Sequence, residues 1–203
     1  SDQISDSDQT QFKENLKIIN NQIKQIENLV NEFSDFARMP KPTLKRNNLV
    51  KLLNENIKLL SEVNKSIKIN LTKKDEEILL ECDKEQISRV FINLIKNSIE
   101  SIEQKAEKNP DFKKKILIDI SSNNDHILIS IEDNGVGFDK NNIKEILNPY
   151  YTTKKNGTGL GLSIVNKIIN DHKGELEFIT INNGAKIQIR FYLNDNRNIN
   201  SWW

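Results

Sequence analysis

Two glycine-rich segments constrain this chain more than any other feature of its sequence. The first glycine segment, residues 133–137, follows an alternating stretch typical of a β-strand, with Ile127, Ile129 and Ile131 on one face. The second glycine segment, residues 157–162, opens an apolar stretch with helical spacing. Glycine lets a backbone approach a ligand closely, and free N–H groups at a helix start favour phosphate.

Asp133 ends the predicted strand and is the candidate base-binding residue. A buried carboxylate without a partner is costly, and the amino group of an adenine would be one such partner. One segment suited to a base and another suited to phosphates together predict a nucleotide site.

The bulk composition excludes several classes of protein. With 203 residues, one full domain and an extra element are expected, and a net charge of +1 argues against a nucleic-acid partner. No stretch approaches the ~18 apolar residues that a membrane span needs. Cys82 is the single cysteine, so we expect a reducing, cytoplasmic location without direct membrane contact.

A long amphipathic helix is predicted near the start of the chain. Apolar residues recur at alternating steps of four and three between Phe12 and Ala37, which is a heptad pattern. Such a face needs a partner helix, so we expect another copy, or a part of the protein not present here, to cover it. Pro40 and Pro42 end the helix, and we interpret residues 38–47 as a hinge or linker.

The rest of the chain alternates predicted helices and strands. Asn48 and Asp83 are candidate helix N-caps, and Asn183-Gly184 marks a hairpin. We expect strands over 67–71, 78–82, 115–121, 126–132, 176–179 and 187–193, helices after residues 48, 83 and 160, a short helix from Asp139 to Leu147, and a disordered tail.

Asn93 and Asn97 lie four residues apart in the helix after Asp83. In an Asn-rich chain plain surface polarity is a strong explanation for them. The functional alternative is a pair of amide oxygens that face a nucleotide, and such oxygens suit Mg²⁺. The loop 148–156 joins the two glycine segments, and Lys154 or Lys155 could reach a phosphate from it.

Other nucleotide-binding and catalytic patterns are absent. The glycines follow neither the Rossmann nor the Walker A spacing. No Ser/His/Asp group or three-ligand metal cluster can be assembled from His126, His172 and their neighbours.

The motifs in this order closely resemble the catalytic ATP-binding domain of two-component sensor histidine kinases, within the Bergerat-fold ATPases. The resemblance covers residues 48–193 and rests on four boxes: Asn93 and Asn97 (N box), Asp133, Gly135 and Gly137 (G1 box), 149–154 (F box, with tyrosine where phenylalanine is usual) and 157–162 (G2 box). It implies an α+β fold, a two-layer sandwich of a mixed sheet with helices on one face, preceded by the long helix.

The segment Phe33 to Pro42 narrows the resemblance to nitrogen-regulation sensor kinases of the NtrY type. It implies that 1–39 is the second dimerisation helix, 40–47 a linker, 48–193 the catalytic domain and 194–203 a flexible tail. The phosphoacceptor sequence His-Glu-x-x-Asn-Pro is absent, and neither His126 nor His172 matches it. Autophosphorylation is therefore not expected, although the whole protein would be a homodimer through residues 9–37, anchored in the inner membrane.

The resemblance also implies roles for individual residues. Asp133 would accept the adenine amino group, Asn97 would hold Mg²⁺ and Asn93 would orient the phosphates. The γ-phosphoryl of ATP would pass to a histidine outside this chain and then to a response regulator aspartate. The implied ATP site comprises Asn93, Asn97, Asp133, Gly135, Gly137, Tyr151, Thr152, Lys154, Gly157, Thr158, Gly159, Leu160, Gly161 and Leu162.

Two alternatives stay open on sequence grounds. One is a serine kinase or anti-sigma factor of the same fold, although the heptad helix and its Pro-x-Pro exit count against it. The other is a non-catalytic module for dimerisation and partner binding.

Overall fold

The computed structural model describes residues 6–109, 111–139, 143, 145–152, 154 and 157–193. Four helices and seven strands follow one another along the described chain. In order they are α1 (Asp6–Ala37), β1 (Lys45–Asn48), α2 (Leu49–Val63), β2 (Lys68–Lys73), β3 (Leu79–Cys82), α3 (Lys84–Ala106), β4 (Lys115–Ser122), β5 (His126–Asp133), α4 (Gly161–Asp171), β6 (Gly174–Ile181) and β7 (Gly184–Tyr192).

A five-stranded sheet in the order β2-β4-β5-β7-β6 forms one layer of the fold. β2 runs parallel to β4, and the other neighbours are antiparallel. Alternating side chains of β4 and β5 are buried beneath α2, α3 and α4, which form the second layer. The predicted α+β fold with a mixed sheet is therefore confirmed.

Side-chain caps fix the starts of two helices, as the sequence predicts. The Asn48 side chain accepts from the N–H groups of Val50 and Lys51 at the start of α2. Asp83 accepts from Gln86 N at the start of α3, at 3.1 Å. Asp83 N in turn donates to Nε2 of the buried His172 at 3.0 Å, which ties the end of α4 to the start of α3.

The structure differs from the predicted elements at two places. Residues 45–47 of the predicted linker belong to β1, which pairs antiparallel with β3. Backbone hydrogen bonds between strands do not require alternating apolar residues. The polar sequence from Lys45 to Asn48 therefore gives no sign of a strand. The short helix predicted from Asp139 to Leu147 is also wrong in its described part, where residues 143 and 145–147 form turns. Pro149 restricts the residue before it, and so short a helix is marginal on its own.

α1 leaves most of its apolar face uncovered. Phe12, Ile23 and Ile26 are 63%, 57% and 60% exposed, whereas Phe36 and Met39 pack against the core of the sheet and helices. Within the part of the chain described, no helix has the length and apolar character to cross a membrane. The predicted disordered tail lies outside the described residues.

Candidate functional site

A single row of side chains on α3 connects the separate parts of the predicted site. Asn93, Asn97, Ser101 and Lys105 follow one another at steps of four residues, so they lie along one side of the helix. All four are partly buried. Asn93 and Asn97 contact the second glycine segment and the loop before it, whereas Ser101 and Lys105 contact the first glycine segment.

Asp133 lies at the end of β5 with its side chain buried. Its Oδ1 accepts from Gly135 N at 2.9 Å and lies 3.4 Å from Ser101 Oγ. Burial raises the pKa of Asp133, and hydrogen bonds from Gly135, Ser98, Ala185 and Ser101 partly offset that rise. Asp133 is thus a poorly solvated carboxylate held in a fixed orientation.

The glycines around Asp133 allow backbones to approach too closely for any side chain. A Cβ on Gly135 would lie 2.3 Å from Ser101 Oγ and 2.5 Å from the Ser101 carbonyl carbon. Gly184, on the neighbouring strand, has a φ of +119°, and a Cβ there would lie 1.8 Å from Asp133 O. Gly137 packs against the carbonyl oxygen of Gly184, and a Cβ on Gly137 would lie 2.7 Å from that oxygen. The first glycine segment is therefore wedged between α3 and β7.

The second glycine segment leads into α4 opposite Asn93. A Cβ on Gly161 would lie 3.2 Å from Asn93 Oδ1, because the Asn93 amide nitrogen is turned away to donate to Arg89 O at 2.9 Å. Tyr150 N donates to Gly159 O at 3.1 Å, and both residues have positive φ. The N box, F box and G2 box thus meet at this end of α3.

The side chains of the second glycine segment divide between the core and the surface. Leu160 is fully buried, and Leu162 is partly buried against the core. Only the backbone of these two leucines is therefore suited to contact a ligand here. Thr158 Oγ1 donates instead to a carboxylate oxygen of Glu32 on α1.

Lys154 donates a hydrogen bond to the side-chain oxygen of Asn97, the residue predicted to hold Mg²⁺. Its Nζ donates to Asn97 Oδ1 at 2.9 Å and forms an ion pair with Glu100. Its backbone N–H donates to Thr152 Oγ1 at 3.1 Å, and a Cβ on Gly157 would approach that same hydroxyl. Tyr151 N donates to Asn148 O at 3.1 Å, which forms a turn in this loop, whereas Lys155 lies outside the described residues.

The predicted residues therefore converge on α3 in two groups. Asp133 and Gly135 gather at Ser101, whereas Gly161 lies at Asn93 and Lys154 at Asn97. Eight residues separate Asn93 from Ser101, which is about 12 Å along a helix. The site is thus elongated along α3, with a carboxylate at one end and a glycine-lined helix start at the other.

Sequence reasoning missed several residues that contact this site, among them Glu32, Ser101 and Lys105. Lys105 Nζ donates to Asn134 O and Gly135 O, each at 2.9 Å. Ser101 and Lys105 continue the four-residue spacing of Asn93 and Asn97, so that spacing was an available signal. Nothing in the local sequence connects Glu32 with Thr158, which lies 126 residues away.

Two further features border the site. A cavity of about 360 Å³ lies between Phe36 of α1, Pro149 and the exposed side of α4, and the predicted site residues do not line it. Among the residues the structure describes, no group of three or more His, Cys, Asp and Glu side chains is arranged to hold a metal.

The fold is an α+β sandwich of the kind found in histidine kinases. The family described as histidine kinase-, DNA gyrase B- and HSP90-like ATPase matches residues 82–195. The chain belongs to this family, and the resemblance inferred from the four boxes is confirmed.

Relatives and solved structures extend the similarity beyond the family match. An NtrY-like sensor histidine kinase of Rickettsia conorii is 34% identical over 93% of this chain, which spans 31% of that protein. The catalytic domain of histidine kinase ThkA is 28% identical, with a TM-score of 0.65 over 73% of this chain and 95% of that domain. A second structure, histidine kinase ThkA in complex with response regulator protein TrrA, matches 90% of this chain and 52% of the ThkA chain. Its identity to this chain is 23% and the TM-score is 0.71.

Proposed function

We propose that this chain is the ATP-binding catalytic region of a sensor histidine kinase. In the whole protein it would transfer the γ-phosphoryl group of ATP to a histidine. The phosphoryl group would then pass from that histidine to an aspartate on a response regulator. The observation that carries the proposal is the row on α3, because one side of one helix touches both glycine segments and Lys154.

The adenine end is assigned to Asp133. Its carboxylate is buried and poorly solvated, and a hydrogen bond from Gly135 N fixes its orientation. A donor such as the 6-amino group of adenine would relieve the cost of that burial. Gly135 and Gly137 keep the neighbouring backbone close enough to α3 and β7 to hold Asp133 in place.

The phosphate end is assigned to the second glycine segment and the first turn of α4. Side chains cap the starts of α2 and α3, but among the described residues none caps the start of α4. Its first N–H groups are therefore available to an anion, and the helix dipole favours negative charge at this end. Asn93, next to Gly161, would help to orient the phosphates.

Mg²⁺ is assigned to Asn97, together with the phosphates themselves. The Asn97 amide oxygen is hard and already accepts from the ammonium group of Lys154, so a cation fits at this oxygen. When bound, Mg²⁺ neutralises charge on the phosphates. Lys154 would leave Asn97 and assist from the loop, since its pairing with Glu100 is exposed to solvent.

The partners of the whole protein are inferred from its relatives. ThkA, which this chain resembles, is solved in complex with a response regulator. We infer that a receiver domain is the partner here, and that the exposed heptad face of α1 pairs with a second copy. Anchoring in the inner membrane and a role in nitrogen regulation remain predictions for the whole protein.

Slow ATP hydrolysis follows from the same assignment. Hydrolytic members of this fold, such as gyrase, carry a glutamate base where this chain carries Asn93. A neutral amide cannot take a proton from water. We therefore expect the purified chain to bind ATP with little turnover, and a robust metal-dependent ATPase rate would contradict this expectation.

Calorimetric titration with ATP and Mg²⁺ tests the binding assignment. The wild-type chain should bind, and Asp133→Ala should lose most of the affinity while Asp125→Ala, in an exposed hairpin, keeps it. Equal, weak binding by wild type and Asp133→Ala would reject the site. For the whole protein, acid-labile phosphate on histidine would separate the kinase from a serine kinase of the same fold.

A further inference from the structure

Ser101 and Lys105 extend the α3 row by two turns beyond Asn97 and face the first glycine segment. Neither residue belongs to the four boxes by which the site was recognised. Both are partly buried and border the side of α3 that packs in the core. The contacts of these two residues point to a role at the adenine end of the proposed site.

Lys105 holds the backbone that follows Asp133. Its Nζ donates to the carbonyl oxygens of Asn134 and Gly135, each at 2.9 Å. The same ammonium group lies 4.9 Å from the centre of the Phe112 ring, within the range of a cation–π contact. Two fixed acceptors and an aromatic face leave this lysine one preferred position, so it acts as a clamp on the segment.

Ser101 contacts the segment on both sides of Gly135. Its Oγ accepts from Val136 N at 3.0 Å and lies 3.4 Å from Asp133 Oδ1. Because the hydroxyl has one proton and already accepts from Val136, its proton is directed to the carboxylate. Ser101 therefore couples the orientation of the Asp133 side chain to the backbone that Lys105 holds.

We propose that Ser101 and Lys105 are positioning residues that set the selectivity of this site for a purine with a 6-amino group. This inference rests on the proposed function, since it assumes that Asp133 receives the base. A carboxylate in a fixed orientation accepts from the amino group of adenine but repels the 6-carbonyl oxygen of hypoxanthine or guanine. Loosening the first glycine segment lets the carboxylate turn away, so both affinity for ATP and discrimination against the 6-carbonyl purines fall.

The test compares the affinities for ATP and inosine triphosphate by calorimetry in a set of variants. Lys105→Met should weaken ATP binding by about tenfold and reduce the ratio of the two affinities by a similar factor, because two charge-assisted hydrogen bonds are lost. Ser101→Ala should reduce the ratio by a smaller factor. Lys105→Arg, which keeps a cationic donor, should restore discrimination in part. The exposed Lys96→Met on the same helix is the matched control and should leave both affinities unchanged.

The readouts separate positioning from a general loss of stability. A variant that only lowers the melting temperature keeps the ratio of the two affinities at temperatures where it is folded. If Lys105→Met and Ser101→Ala keep the wild-type ratio while Asp133→Ala loses ATP binding, the positioning role is rejected and the proposed function stands. If Asp133→Ala binds ATP like the wild type, the proposed function fails, and the inference fails with it.

Discussion

The two glycine segments are held in different ways, although both are assigned to one ligand. The first segment is fixed by backbone groups and buried side chains: Gly135 N bonds Asp133 within the core, and Val136 N bonds Ser101. The second segment is anchored in the core by the buried side chain of Leu160. Its glycines, in contrast, bond only to loop backbone, through Tyr150 N to Gly159 O and Gly157 N to Lys154 O among the described residues, and Thr158 bonds the partly exposed Glu32.

This difference indicates a division of labour along α3. The end that would recognise a base is rigid because hydrogen bonds hold Asp133 and Val136 in place. A fixed carboxylate is what selectivity for one base requires. The end that would receive phosphates is adjustable, since Lys154 and Thr158 now bond to Glu100 and Glu32, partners that a triphosphate would displace. The following predictions test this contrast.

The same substitution at one glycine of each segment should have very different effects. Gly135→Ala should lower the free energy of unfolding by about 2–3 kcal/mol, because its Cβ would collide with the backbone of α3. Gly161→Ala should change it by less than about 1 kcal/mol, since the nearest atom is the Asn93 amide and alanine favours a helix. Urea denaturation measures both, and similar losses would contradict the contrast.

The affinity for ATP should fall at acid pH before the fold is lost. Burial raises the pKa of Asp133 above its ordinary value of 3.8, and the carboxylate is the form that accepts an amino group. As the pH falls through that raised pKa, affinity should drop by up to about tenfold per pH unit. Asp133→Asn should reduce this dependence to the part that protonation of ATP itself causes, and a wild-type pH dependence no steeper than that of Asp133→Asn would contradict the assignment.

The contribution of Asp83 to stability should persist through that pH window, because the pKa of Asp83 is shifted in the opposite direction. Despite its partial desolvation, hydrogen bonds from Thr43, Gln86 and Glu85 lower the pKa of Asp83. A lowered pKa means that its contribution to stability is present above pH 3.8 and is lost only as the pH falls further. Circular dichroism recorded beside the titrations separates loss of binding from unfolding.

Hydrogen exchange should distinguish the two segments in the wild-type chain. The amide of Gly135 is buried on the Asp133 carboxylate, whereas that of Gly157 bonds Lys154 O at 3.3 Å in an exposed loop. We expect Gly135 to exchange far more slowly, at a rate set by opening of the core. Equal rates for the two amides would remove the distinction between a rigid and an adjustable end.

The smallest effect is expected for the contact between α1 and the second glycine segment. Glu32→Ala removes the acceptor of Thr158 and should cost less than about 1 kcal/mol, because the contact is partly exposed. Exchange at residues 158–160 should speed up, while Gly135 stays unchanged. Glu14→Ala, on the exposed part of α1, is the control, and an equal effect of both variants on exchange would argue against the contact.

The order of elements and most of the adenine end were predictable because they depend on short-range patterns. Alternating isoleucines define β4 and β5, the caps Asn48 and Asp83 mark two helix starts, and the spacing of Asn93 and Asn97 indicates one side of a helix. β1 was not predicted, because its polar sequence carries no strand pattern. Only its pairing with β3 makes it a strand.

The sequence by itself thus determined the fold class, the family and the residues that could form a nucleotide site. Only the tertiary structure decided how those residues are held: Lys105 on the first glycine segment, Lys154 on Asn97, and Glu32 on Thr158. The physical reason is range. Periodicity and capping act between residues a few positions apart, whereas these contacts join residues 29 to 126 positions apart that only the packing of α3, α4 and α1 brings together.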